Sequence, residues 1–188
     1  MSIQFKRIKK HIQTSKQRTG NTRKLLKTLK KYFYVFATDY YLWCLEIHFI
    51  CYMIHYDTNI TKSKIEEICS DYVKANKAFN TFSNDFLISY VETAIEYYSQ
   101  FIGVSPEHTI YRLIEGYQTW DNYSLSIIFI KLLSNIYKQK TNKTIQFFYE
   151  VLIQNMHPNP SKRYTVETTL AESKKIFTQS DSIQDLIL

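Results

Sequence analysis

The chain has 188 residues, 45% hydrophobic and 22% charged, which suffices for one domain with a real core and excludes a wholly disordered chain. Three Gly and three Pro are too few turn formers for a sandwich or barrel, and Gly20, Gly103 and Gly116 are too scattered for a phosphate-cradling loop. The net charge of +7 is uneven: residues 1–31 hold 11 Lys or Arg and no acid, while the rest holds 13 basic and 17 acidic residues, a net −4.

Residues 5–31 are helix-prone and Lys-rich, interrupted at Thr19-Gly20-Asn21, with Leu25, Leu26 and Leu29 on one face. Residues 1–38 read as a basic arm. Its residues 1–31 could make weak contact with a polyanion, nucleic acid or acidic lipid, but a Lys run more often marks a solvated arm or a helix docked on the body. Residues 32–56 are the most apolar stretch and, at 25 residues, long enough to span a bilayer. Asp39 and Glu46 interrupt it, each costing about 2.5–3.5 kcal/mol near a bilayer centre. A buried helix fits better, and no integral membrane span is expected. Cys44, Cys51 and Cys69 are odd in number and lack framework spacing, and no signal-peptide apolar region opens the chain. Both features point to a reducing, intracellular setting.

The remainder reads as helices. Ser63-x-x-Glu66 has the form of a capping box ahead of Ile65, Ile68 and Tyr72. Ser83 is positioned to cap a long amphipathic helix through Phe101, with Gly103 ending it in the left-handed conformation. Ser105-Pro106 is an N-cap followed by proline at the first helical position, with Gly116 closing that helix. Over residues 123–137 apolar side chains face every direction, which predicts a helix buried all round at the centre of the domain. Thr165 is placed to cap a last helix to about Phe177, and residues 179–188 form a short tail. No sustained strand alternation appears, so the fold class is all-α.

Cys44, His48, Cys51 and His55 are potential zinc ligands by type. Their spacing puts them in one helical stripe spanning about 16 Å, too long for a single ion. No metal, cofactor or catalytic constellation is therefore expected from the sequence: there is no nucleophile elbow, no H-E-x-x-H and no paired-cysteine motif. His108 and His157 each neighbour a proline and have no evident partner.

Two segments are more specific. Trp120-Asp121-Asn122-Tyr123-Ser124-Leu125-Ser126 resembles the start of the central C-lobe helix of protein kinases, D-x-[WY]-S-L-G, with Ser126 in place of the glycine. Asn159-Pro160-Ser161-Lys162-Arg163-Tyr164-Thr165 resembles that family's closing D-P-x-x-R-x-[ST] segment, with Asn159 in place of the aspartate. Leu45-Glu46 is similar, more weakly, to the end of the A-P-E element. The form Tyr41-x-Trp43-x-Leu45-Glu46-Ile47-His48 is also similar to the divergent serine/threonine kinases of large DNA viruses. The resemblance covers residues 39–177 and is specific in about twenty of them.

This resemblance implies a helical kinase-like C-lobe over residues 39–178, with a helical insertion at about 61–116 and no N-lobe β-sheet. It implies that Glu46 pairs with Arg163, and that Asp121 would hydrogen-bond a catalytic-loop backbone. Phosphoryl transfer, however, needs a phosphate-binding lysine, an H-R-D-x-x-x-x-N loop and a D-F-G metal ligand, and the chain has none. Asn84-Asp85-Phe86-Leu87 echoes D-F-G only superficially. The expectation is a truncated, catalytically empty pseudokinase C-lobe that serves at most as a scaffold or docking module. The alternative is a small helical adaptor whose basic arm binds nucleic acid or anionic membrane.

Overall fold

The computed structural model describes residues 29–33, 42–56, 58–137 and 143–179. Among them the fold is all-α, with no strand. The helices are α1 (Leu45–Tyr56), α2 (Lys62–Ala75), α3 (Asn84–Ser99), α4 (Pro106–Ile114), α5 (Trp120–Tyr137), α6 (Lys143–Asn155) and α7 (Val166–Gln179). Short 3-10 turns lie at Lys77–Thr81, Glu115–Thr119 and Pro160–Lys162.

Local chemistry sets most boundaries. Ser83 Oγ accepts from Phe86 N, Ser105 Oγ from His108 N and Thr165 Oγ1 from Thr168 N, each capping the helix that follows. Gly103 has φ of 76°, the left-handed conformation expected of it after α3. Two boundary expectations need correction. The cap of α2 is Thr61, whose Oγ1 accepts from Lys64 N, so Ser63 lies inside the first turn. Helix α4 ends at Ile114 and tightens into the 115–119 turn, so Gly116 lies within that turn rather than closing the helix.

The helix enclosed on nearly all sides is α1, not α5. Leu45 through Cys51 are all buried, together with Met53 and Ile54, and α1 packs against α2 and α4. Phe49 lies with its ring centroid 4.1 Å from that of Tyr98 on α3. Large buried side chains of this kind contribute roughly 1.5–3 kcal/mol each. Helix α5 occupies a central position, packing on α6 and on the 77–81 and 115–119 turns. Its burial is one-sided: Trp120, Tyr123, Ile127 and Ile130 face the core, whereas Leu125, Ile128, Phe129 and Leu132 are 52, 39, 43 and 59% exposed. The expectation of a helix buried all round is thus overturned. Apolarity on every face records what a helix tolerates, while the number of neighbours that cover it is set by tertiary packing.

No helix among the described residues is long and apolar enough to cross a membrane. The start of the basic arm, residues 1–28, lies outside the described residues, as do residues 34–41 and the tail from 180. Leu29 and Phe33 are buried, and Phe33 meets Trp120 edge-on with centroids 6.4 Å apart. Residues 29–33, read as part of the arm, therefore pack on the body.

Cys44, Cys51 and Cys69 are free thiols and all buried. Burial pushes the Cys51 and Cys69 thiols up to about 12. For Cys44, burial followed by the nearby Glu46 carboxylate raises the pKa well above the usual thiol value. Ellman's reagent should therefore leave all three unmodified in the native protein at pH 8 and titrate three thiols in denaturant. Fast native reaction of any one would contradict this packing.

Candidate functional site

Glu46 sits in the first turn of α1, and Arg163 follows the Pro160–Lys162 turn. Both are fully buried at the side chain. Arg163 Nη1 donates to Glu46 Oε1 at 2.8 Å and Nη2 to Oε2 at 2.9 Å, a bidentate fork between residues 117 positions apart. The remaining donors are also used. Nε donates to the His157 carbonyl at 2.6 Å, Nη1 to Thr119 Oγ1 at 3.3 Å and Nη2 to the Pro158 carbonyl at 3.3 Å. All the guanidinium donors thus have acceptors. Tyr98 Oη donates to Glu46 Oε2 at 3.2 Å, and the Tyr123 ring lies under the guanidinium at 4.7 Å.

This completeness makes the pair tolerable in the core. Burial works against the Arg163 charge, but the Glu46 carboxylate beside it more than offsets that, and the pKa lies well above the ordinary guanidinium value. Burial, then the Glu46 charge, raises the Tyr98 phenol well above its usual range. With the donors committed and no exposed face, the pair offers a reagent neither a proton nor a vacant acceptor. Its geometry suits holding the chain rather than acid–base chemistry.

The backbone around the pair is shaped to fit it. A Cβ at Gly116 would stand 2.9 Å from Pro160 Cβ and 3.3 Å from Glu46 Oε1. Glycine is required there by close approach, not by backbone conformation. The same loop is set by His157, whose Nδ1 accepts from Asn159 N at 3.0 Å.

Asp121 does not join this site. It lies half-buried in the first turn of α5, with no side-chain hydrogen bond or ion pair among the described residues. Its neighbour Asn122 is the residue that ties α5 to the rest. Asn122 Nδ2 donates to Thr169 Oγ1 at 2.8 Å and to the Tyr164 carbonyl at 3.2 Å. Asn155 Nδ2 donates to Ser126 Oγ at 3.1 Å, and Thr169 Oγ1 donates to Asn155 Oδ1 at 3.1 Å, closing a network across α5, α6 and α7. Ser126, where the kinase pattern has glycine, is a buried member of this network. Sequence reasoning missed Asn122, Asn155 and Thr169; an amide within an apolar run was the only available signal for Asn155.

The stripe of Cys44, His48, Cys51 and His55 divides: the first three are buried and His55 is exposed. No group of three or more His, Cys, Asp or Glu among the described residues is arranged to hold a metal ion. Above the ion pair lies an open cavity of about 510 Å³, lined by residues of α3, α4 and the 115–119 and 160–162 turns. Comparison with protein-family models, with curated proteins and with solved structures found no match to this chain.

Three outcomes follow from this geometry. Arg163→Ala should destabilise the protein by about 3–5 kcal/mol, because the Glu46 carboxylate is left buried and unpaired. Arg163→Lys should recover little of that, since one ammonium cannot reproduce the fork; a lysine variant melting like wild type would contradict the reading. Gly116→Ala should cost about 1–3 kcal/mol by overpacking Pro160, again measured by denaturant unfolding.

The third outcome is a pH dependence. Burial, followed by the Lys162 charge, lowers the His157 pKa below its ordinary value of 6.5. The folded chain therefore favours the neutral ring, and the unfolded chain takes up the proton first as pH falls. Stability from this group is complete above about 6.5 and is lost as pH drops below it. Denaturant midpoints between pH 8 and 5 should fall further for wild type than for His157→Asn, which keeps an acceptor but does not titrate. Parallel curves would show that His157 contributes nothing.

Proposed function

We propose that this chain is a non-catalytic helical module, a pseudokinase-like C-lobe that serves as a scaffold or docking unit. One observation carries the reading: the buried bidentate Glu46–Arg163 pair. These are the two positions that the A-P-E-like and closing-segment motifs single out, and they are the ends of the contact that the kinase resemblance implies. Their separation in sequence makes a chance meeting of two matched positions uncommon. The absence of V-A-I-K, H-R-D and D-F-G sequences from the 188 residues supports the non-catalytic part.

A second reading is favoured by the charge distribution. Residues 1–28 contain nine Lys or Arg and no acid, beside a body of opposite net charge. This segment would bind polyanions without regard to sequence, with an affinity that falls steeply as salt rises.

Two measurements test these readings. The scaffold reading expects no thermal shift with millimolar Mg-ATP, where saturating binding at 100 times Kd would stabilise by about 2.7 kcal/mol. A reproducible shift abolished by Asp121→Asn would overturn it. The arm reading expects full-length protein to lose duplex DNA and anionic-vesicle binding when the Lys and Arg of residues 6–27 are replaced by Gln. Equal binding by that variant would place the interaction on the body. Substitution rather than truncation keeps the buried Leu29 in place.

A further inference from the structure

The cavity above the ion pair has a wall chemistry that selects a ligand, and it deepens the scaffold reading on which it rests. Arg112, near the C-terminal end of α4, is held from two sides. Its Nη2 donates to Gln100 Oε1 at 3.3 Å, and its guanidinium lies over the Phe101 ring at 5.6 Å. Gln100 Nε2 is itself tied to the Tyr97 carbonyl at 2.8 Å, so the amide orients the guanidinium without neutralising it. No carboxylate stands within ion-pair distance of Arg112 among the described residues. A guanidinium restrained by an amide and a ring, with most donors uncommitted, is disposed to take a carboxylate.

The 159–161 side of the cavity is tied by its own hydrogen bonds. Asn159 Oδ1 accepts from Ser161 N and Ser161 Oγ at 3.0 and 2.8 Å, which leaves its Nδ2 as a donor. Pro160 is wedged against Gly116, and its carbonyl accepts from Arg163 N at 3.2 Å, so the buried pair fixes this wall in turn. Glu115 also lines the cavity and adds a carboxylate to its wall. A bare anion would meet Glu115 with nothing to offer it. A peptide brings both a carboxylate for Arg112 and backbone N–H groups for Glu115. The volume of about 510 Å³ lies within the range of small-ligand sites and suits a short segment.

We propose that this cavity is a docking site for a short acidic peptide segment, with Arg112 gripping a Glu or Asp side chain and Glu115 receiving backbone N–H groups.

The test is a ¹H–¹⁵N titration of the full-length chain with acetyl-Gly-Glu-Gly-amide, with the Gln tripeptide and inorganic phosphate in parallel. The Glu peptide should shift the amides of Gly116, Gln118 and Ser161, and the Gln peptide should bind about tenfold more weakly or less. Arg112→Gln should lose the same factor while keeping every charge of the N-terminal arm, and Arg112→Lys should recover only part of it. Absence of shifts at this wall, equal binding of Glu and Gln peptides, or unchanged affinity in Arg112→Gln would each overturn the proposal. Phosphate shifting the same amides as strongly would overturn it too, in favour of a simple anion site. Arg112 is exposed, and an unchanged melting temperature in its variants shows that the fold is intact. Failure of peptide binding then leaves the scaffold reading standing, whereas Mg-ATP binding removes that reading whatever the peptide does.

Discussion

The fold depends on one buried contact, the fork between Glu46 and Arg163. It joins the first turn of α1 to the loop before α7 across 117 positions, and it draws in Tyr98 from α3 and Thr119 from the turn before α5. Two charges moved out of water cost several kcal/mol each unless their remaining valences are met. Here they are met by two backbone carbonyls, two hydroxyls and an aromatic face. That requirement dictates the surroundings: the 157–163 loop must present its carbonyls inward, and residue 116 must lack a side chain.

A second, uncharged network performs the same task between α5, α6 and α7. Asn122 and Ser126 turn polar groups inward from α5, toward Asn155 of α6 and Thr169 of α7, while the leucines and phenylalanine of α5 at 125, 129 and 132 turn outward. Satisfied buried amides are directional in a way that leucines are not, so they set the rotation of α5 about its axis. The inward face of α5 thus mixes these two polar groups with Trp120, Tyr123, Ile127 and Ile130. It also explains why an apolar run proved a poor guide to enclosure.

Both networks are internally saturated, which separates structure from function in this molecule. The buried charges are committed to each other and offer no chemistry to a ligand. The groups still able to bind something are at the cavity rim, where Arg112 is oriented by an amide and an aromatic ring but not neutralised. The buried pair contributes to that rim only by fixing Pro160 against Gly116. A cation left unneutralised at a hydrogen-bonded wall is the feature on which the proposed docking site rests.

The sequence by itself determined the helical class, the caps at Ser83, Ser105 and Thr165, the left-handed stop at Gly103 and the pairing of Glu46 with Arg163. The caps and the stop are local: a hydroxyl reaches an N–H three residues on, and the signal lies within one turn. The ion pair is remote, and no local signal points to it; only the resemblance of two short motifs to a family pattern suggested that these positions meet. Tertiary structure alone decided that α1 rather than α5 is enclosed, and that Asn122 rather than Asp121 ties the helices together. It also decided that Gly116 answers to Pro160 rather than to its own φ, and that Arg112 stands over a cavity. Each of these depends on which surfaces meet across tens of residues. Burial is a property of the pair of surfaces, and a single chain segment carries only one of them.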